Sequence, residues 1–553
     1  MASEQPNQNE KIPARSSAVE TTEEKKALDL EKHGDIVVGS SIPTIMRDGI
    51  RLHPQPTSDP LDPLNWSKWK KGRIVAIVMG LYFMFTYVTT TTVPAFLEIQ
   101  ELYNITDEQL NWTVAIPALG LAAGPLLWSS LADIFGRRII FIIGTVVALA
   151  ATIGAGLAPN YGGYMAARFF QGLGTSPGAT VGLAIINDMY FEYERGQKVG
   201  LWVLAIDMGL LVGPLIGGFA AMAGQAWVQW LTAILLGVLL IAEVFFLTET
   251  LYPRNQMLIQ MPYTETGPET IEVDSEAVGA MVDMEKIERK NSVANEVDLK
   301  RTTALPFINI TPVPGMKHPT PWDSAVRFCL TWKYLPVTIT VVAFCYVWYW
   351  WVLSVITFIP FAYPDYKPHI QGLLFIGLIL GTLVGEIFFS GTLSDKIILR
   401  LAKKQGGVRV PEMRLWLVYP AILSSSTGLI LWGVSIDRGY HWMVGQVAFF
   451  LFAAGIQIGN TVTAAYIVDC YPLQSMAIIT FYSVLLNLSA FINPFFIAPW
   501  IDASGYTWTF AAQGIITFFG CIPLFAGVHF FGSKLRRASG APNWVNPEFD
   551  SIL

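Results

Sequence analysis

Charge is scarce in this chain. Asp, Glu, Lys and Arg make up 14% of its residues, against about 25% in soluble globular proteins. A large soluble protein with a greasy core is excluded, because apolar runs of about 20 residues recur, each long enough to cross about 30 Å of hydrocarbon. Cysteine is scarce too, with only Cys329, Cys345, Cys470 and Cys521. None has metal-ligand spacing, and a disulfide framework is not expected. The first residues lack an apolar core ahead of a small-residue cleavage site, so the first span is expected to serve as the insertion signal. Also missing are a phosphate-cradling glycine loop with its lysine, a His/Cys metal cluster and a defensible Ser-His-Asp constellation. The chain is therefore expected to be no enzyme, to use no cofactor, metal or nucleic acid, and to lack the machinery of ATP-driven transport.

Hydrophobic residues make up 53% of the chain, and its mean hydropathy is +0.45. Apolar spans 1 to 6 are expected at about 73–94, 111–131, 138–158, 163–189, 198–220 and 227–247. Spans 7 to 12 follow at about 334–360, 369–392, 414–434, 441–469, 477–500 and 508–531. This predicts an all-α membrane protein with twelve transmembrane helices in two six-helix halves. Residues 1–64 read as a disordered N-terminal tail, 65–249 as the first half and 250–332 as a linker. Residues 333–531 read as the second half and 532–553 as a short tail. A flexible linker is the expectation for 250–332, with a small folded insert as the alternative. Lys and Arg crowd one side of this arrangement, from Lys68, Lys70 and Lys71 to Lys534, Arg536 and Arg537, while the other side shows Lys367 and Arg438. The positive-inside rule places both termini and the linker in the cytosol.

One loop is repeated. After span 2 the chain reads Ser129-Ser-Leu-Ala-Asp133-Ile-Phe-Gly136-Arg137-Arg138; after span 8 it reads Gly391-Thr-Leu-Ser-Asp395-Lys-Ile-Ile-Leu-Arg400. The distance from acid to distal arginine is the same in both copies. An aspartate there can accept hydrogen bonds from the amino end of a neighbouring helix and pair with an arginine, locking one side shut. A plain loop that only sets topology is the alternative reading. Two copies favour the lock and indicate two related halves.

Glycines recur at four-residue spacing. Span 5 carries Gly209, Gly213 and Gly217, with Pro214 and Gly218 beside them; span 8 carries Gly377, Gly381 and Gly385. This spacing puts glycines on one helical face, where backbones can approach closely. These faces are expected to be where the halves meet and slide, unless they only reflect the abundance of glycine in membrane helices.

Four ionisable residues fall inside spans: Arg168, Asp207, Glu243 and Glu386. Each is costly in hydrocarbon and is expected to face a cavity or a partner. Asp207, near the middle of span 5, is the first candidate for binding and releasing a proton. A static Arg168–Asp207 ion pair is the alternative, and Glu243 has the further option of reaching the interface. For a substrate cavity, Tyr346, Tyr349 and Trp350 of span 7 share one helical face with Leu353 at α-helical spacing, suited to a flat apolar or cationic ligand. An outer aromatic belt is the competing reading. Gln171 follows Arg168, and Gln457, Asn460 and Asn487 can orient a ligand or join helices.

Several of these stretches resemble the major facilitator superfamily, specifically its fungal twelve-span drug:proton antiporter branch. The likeness runs over about residues 60–535 and rests on Asp62-Pro-Leu-Asn-Trp66-Ser, the Asp133 loop, Arg168-Phe-Phe-Gln171-Gly172-Leu-Gly174, Glu194-Arg195-Gly196, Gly213-Pro214-Leu-Ile-Gly217-Gly218 and Glu249-Thr-Leu-Tyr252-Pro-Arg254. The resemblance implies a link of Arg168 to proton transfer and of the Gly213–Gly218 motif to efflux. Ser129 stands where the family usually has glycine, and Ile398 stands where the first copy of the loop has Gly136. The second half is also similar to a fungal subgroup of polyamine and cation importers, through Ala465-Tyr466-Ile-Val-Asp469-Cys470-Tyr471-Pro472, Glu386 and Ser394-Asp395.

The expected function is proton-coupled export of a small amphipathic compound, such as a fungal secondary metabolite, toxin or drug, by alternating access. Uptake of a cationic small molecule such as a polyamine is the first alternative, and a non-transporting nutrient sensor the second. The expected partners are the substrate, protons and the bilayer. A monomer in the plasma membrane is expected, with the vacuolar membrane as the alternative site. Asn104-Ile-Thr106 and Asn111-Trp-Thr113 form glycosylation sequons on the predicted outer side.

Overall fold

The computed structural model describes residues 46–47, 50–51, 54, 56–57, 59–252, 318–404, 410–471 and 474–540. Most of the expected linker, at 253–317, therefore lies outside the described residues, as do most of the N-terminal tail and the end of the C-terminal one. Apart from one strand pair of two residues each, Met46–Arg47 with Ile50–Arg51, the regular structure described is helical. Among the described residues, eleven helices are long and apolar enough to cross a membrane.

Local chemistry explains where the helices start and stop. Span 1 begins at Lys68, capped by the Ser67 hydroxyl, which accepts from the Lys70 amide. It ends at Thr90, ahead of a turn containing Pro94, and the chain resumes as Phe96–Tyr103. Thr106 and Gln109 form a reciprocal capping box at the start of span 2, Asp107–Phe135. Gly136, at φ 108°, breaks the chain before span 3, Arg137–Leu157. Span 4 consists of two shorter helices, Tyr161–Thr175 and Pro177–Met189, because Pro177 brings no amide hydrogen to the ladder. Spans 5 and 6 are Glu192–Ala221 and Gln225–Phe246.

In the second half, spans 7 and 8 each contain wider, π-helical turns, at Phe344–Trp348 and Gly385–Leu393. Spans 9 and 10 include Val418–Asp437 and Trp442–Cys470. Ser475–Ile492 forms most of span 11, and Pro494–Ser539 carries the end of span 11 and span 12 through a break at Gly505, φ 73°.

Three expectations change here. Part of the segment read as flexible linker is a helix, Asp323–Thr331, packed on the helices of spans 2 and 11. The end of the tail read as disordered is folded: Asp62 is fully buried, holding the Leu64 amide and the Thr57 hydroxyl. The glycine faces mostly pack within each half. A methyl at Gly209 would lie 2.0 Å from the Phe83 carbonyl oxygen, and one at Gly217 would lie 1.9 Å from that of Thr91, both in span 1 or its end. Gly377, Gly381 and Gly385 likewise fit against span 10 at Gln446, Phe450 and Ala454. Gly218 does reach the other half, against the Pro368 carbonyl of span 8. Helices inside a half must pack permanently, so they take the closest backbone approach.

Candidate functional site

Asp207 lies midway along its helix and is buried. One carboxylate oxygen accepts from the Tyr349 hydroxyl at 3.1 Å, the other from the Asn460 amide at 2.8 Å. Tyr482 in turn donates to the Asn460 carbonyl oxygen at 2.5 Å. A first-half acid is thus held by spans 7, 10 and 11 of the second half. Glu386 of span 8 is held by neighbouring residues of span 10: it accepts from Gln457 at 2.9 Å and from Thr461, next to Asn460, at 2.7 Å. Its other oxygen faces Gly200 of span 5, where a methyl would lie 2.6 Å from it. Among the described residues neither carboxylate has a cationic partner.

Arg168 is fully buried but does not pair with Asp207. It donates to the carbonyls of Val88, Thr89 and Thr113, to Gln171 Oε1 and to the Thr92 hydroxyl. Three of these acceptors lie where span 1 breaks, and a cation is favourable against the orphan carbonyls of a helix end. Gln171 bridges Thr152 and Gln229 inside the first half and does not reach the central cavity. Glu243 does not reach the interface either. It is fully buried, and its Oε1 accepts from Thr145 of span 3 at 2.9 Å.

A central cavity of about 30 Å³ separates the halves, lined by Thr89, Val114 and Leu210 on one side and by Tyr349, Leu353 and Asn487 on the other. It has room for about two waters. The halves touch on both sides of it. Toward the basic loops, Ser129 meets Thr480 at 3.1 Å and Asn187 donates to Ser475 at 3.2 Å. Toward the opposite face, Trp112 packs edge-on against Phe495, 4.7 Å between centroids, and Phe96 packs on Phe361.

Of the expected face, Tyr349 and Leu353 line the cavity and Tyr346 and Trp350 do not. Tyr346 and Trp350 pack on each other, and Trp350 packs on Phe496. Tyr349 and Trp350 are consecutive and stand about 100° apart on a helix, so Tyr349 and Leu353 meet the cavity while Tyr346 and Trp350 share the neighbouring face. The Tyr349 amide bonds back to Phe344 at 2.7 Å, one residue further than in an α-helix.

In the first copy of the repeated loop, Asp133 pairs with Arg137, whose guanidinium also lies 3.5 Å from Asp188 and 3.7 Å from the Met476 sulfur of span 11. The amino end of span 3 is held by Glu249 and not by Asp133. Glu249 accepts from the Arg137 amide at 2.9 Å and from the Arg138 amide at 3.1 Å. Gly136 makes room for this carboxylate, since a methyl there would lie 2.4 Å from it. The second copy differs. With Ile398 in place of a glycine the helix Ser394–Lys404 runs on and carries Arg400 into the exposed layer. The Asp395 side chain lies outside the described residues. Among the described residues, the charged pairs of the second half are instead Arg414–Asp469 at 2.6 Å and Arg536–Glu412 at 2.5 Å. Asp188, Glu249, Thr461, Tyr482 and these pairs were missed from sequence. One signal for two of them was present: Asp188-Met-Tyr190 and Asp469-Cys-Tyr471 end spans 4 and 10 with the same Asp-x-Tyr.

A family model described as Major Facilitator Superfamily matches residues 78–455. Protein HOL1 of Saccharomyces cerevisiae is 24% identical over 536 residues, covering 88% of this chain and 90% of its own. The efflux pump radE of Floropilus chiversii is 27% identical over 486 residues, covering 86% and 83%. Among solved structures, the partially occluded inward-open xylose transporter XylE from E. coli aligns with a TM-score of 0.56 at 12% identity, over 84% of this chain and 98% of that one. The human organic anion transporter MFSD10 gives 0.51 at 15% identity, over 82% and 99%.

Proposed function

This chain belongs to the major facilitator superfamily, and from that premise we propose that it is a proton-coupled exporter of a small amphipathic compound, working by alternating access. The observation that carries the reading is Asp207. It is a buried carboxylate at mid-helix whose hydrogen-bond donors, Tyr349 and Asn460, all come from the opposite half. Loading or unloading a proton there changes what holds the halves together, which couples protonation to their rocking. A cavity of about 30 Å³ is far below the roughly 300–1,000 Å³ of a drug-sized site, so the structure fits an occluded resting state that widens around substrate.

In this proposal the two six-helix halves are residues 65–249 and 333–531, the basic face is cytosolic, and Asp133, Arg137 and Arg138 act at the cytosolic gate. The protein works as a monomer in the plasma membrane. The efflux pump radE and its likeness over most of the chain support export. The test is accumulation: cells expressing the protein should hold less of an amphipathic dye than control cells, and a protonophore should abolish the difference. Equal accumulation with and without the gradient overturns proton-driven export.

A second reading, uptake of a cationic small molecule, is favoured by one observation. Asp207 of span 5 and Glu386 of span 8 place two carboxylates against span 10 with, among the described residues, only neutral partners.

A further inference from the structure

We propose that the helix Asp323–Thr331, at the end of the segment joining the halves, is a bolt across the basic face that must be drawn for that face to open. It touches both halves. Toward the first half, the Ser324 amide donates to Ser130 Oγ at 3.0 Å, and the two serine hydroxyls lie 2.5 Å apart. Just ahead of the helix, His318 Nδ1 donates at 3.1 Å to the backbone carbonyl of Asp133, the acid of the repeated loop. Toward the second half, Phe328 and Trp332 pack on Phe481 of span 11, with ring centroids 5.4 and 5.1 Å away.

The two sets of contacts differ in permanence. Only Trp332, Lys333 and Tyr334 separate the helix from span 7, which starts at Leu335, so the helix is tethered to the second half. When the halves rock apart on this face, the Phe481 contacts travel with it, and the Ser324–Ser130 and His318–Asp133 bonds are the ones that break. Ser130 and Ser324 are both buried while the bonds are made, so breaking them means parting this seam and letting water reach both hydroxyls. These bonds therefore belong to one conformation and bias the protein toward it. The bolt sits beside the Asp133–Arg137 pair and the Ser129–Thr480 contact, so the connecting segment reports directly on the gate.

This inference rests on the rocking proposed above, and its test separates the two. In S130C/S324C an oxidant should form a disulfide, whose sulfurs need about 2.05 Å between them. Transport of a lipophilic fluorescent dye in proteoliposomes should then fall at least tenfold and return on reduction. S324C alone, carrying the native cysteines, is the control. Absence of the cross-link, or full transport with it formed, overturns the bolt. A parent protein that moves no dye while the cross-link still forms counts against the transport reading and leaves the bolt geometry standing. Independently of transport, Ser324→Ala should raise the alkylation rate of a cysteine placed at Ser129 by roughly fivefold, the shift that one lost hydrogen bond gives. An unchanged rate overturns the bolt.

Discussion

Asn460 donates to Asp207 across the boundary between the two halves, at 2.8 Å. The same amide is polarised from behind by Tyr482, at 2.5 Å. A proton arriving at Asp207 therefore meets a site built by three helices of the other half.

Asp207→Asn keeps the size of the side chain and removes its ability to exchange a proton. Uphill dye export driven by a pH gradient should be lost in proteoliposomes, while downhill exchange of preloaded dye persists. A mutant that still pumps as steeply as the parent would move the proton site to Glu386. Asn460→Ala should leave Asp207 with one donor fewer, costing about 1–3 kcal/mol of the interaction. Its effect should be smaller in folding than in transport rate, measured as thermal unfolding against initial export rate.

Asp133→Asn should weaken the Arg137 pair while leaving the cavity untouched, since Arg137 retains Asp188 at 3.5 Å. Transport should fall with little change in expression or in dye binding, because a gate contact is weakened and not the pocket. Parallel loss of binding and transport would assign Asp133 a role in the ligand site. Glu249→Gln should be milder for the fold than Glu249→Ala, since the one amide oxygen can still accept from the Arg137 backbone, while its NH2 cannot replace the oxygen that accepts from Arg138. Thermal unfolding of the two variants checks this.

The fold was legible because its signals are long-range in the sequence: apolar runs of membrane length, basic loops on one side, and a repeated acid–arginine loop. The candidate site was legible only as single residues. Asp207, Asn460, Glu386 and Gln457 stand out as polar groups in apolar helices, but which one meets which depends on the arrangement of the helices. The aromatic face failed for the same reason. Tyr346, Tyr349 and Trp350 spread over about 100° of helix surface, and only the arrangement of the helices decides that the edge with Tyr349 and Leu353 meets the cavity while Tyr346 and Trp350 pack on each other. Arg400 failed because one residue, Ile398 for glycine, lets a helix continue where the first copy turns. Glycine spacing marked close packing correctly but carries no information on whether the partner helix lies in the same half.

Gly217 and Gly218 make that distinction testable. Gly217→Leu drives a side chain into the Thr91 carbonyl inside the first half. It should lower thermal stability by about 1–3 kcal/mol or more and reduce folded yield. Gly218→Leu meets Pro368 of the opposite half. It should leave yield closer to the parent and shift the balance between conformations, seen as altered alkylation of cysteines on the outer face. Equal losses of yield would mean that the two halves pack as one permanent unit here.

Of the two sequons, only Asn104 should carry a glycan. It is exposed, at a left-handed position (φ 49°) that ends the helix Phe96–Tyr103. Asn111 lies within the helix Asp107–Phe135, and its sequon hydroxyl, Thr113, is fully buried and donates to the Leu110 carbonyl at 2.7 Å. Glycosidase should therefore increase the gel mobility of the parent and not that of Asn104→Gln. A glycan that survives Asn104→Gln would place Asn111 outside the helix, and reaction of this loop with a cytosolic label would invert the topology.

Glu386 decides between export and uptake of a cation. Its Oε2 is held by Gln457 and Thr461 of its own half, while Oε1 faces Gly200 of the other. If Asp207 alone carries the coupling proton, Glu386→Gln should leave pH-driven dye export within about threefold of the parent, roughly the effect of a lost 0.5–1 kcal/mol. If the two acids together bind a cation, the same substitution should abolish uptake of a radiolabelled diamine, because one of its two counter-charges is gone. The parent must then raise cellular diamine content in a pH-dependent way. Parent cells that gain no diamine, with export intact in Glu386→Gln, would leave the export reading in place. Diamine gain in the parent that is lost in both Glu386→Gln and Asp207→Asn would replace export with uptake.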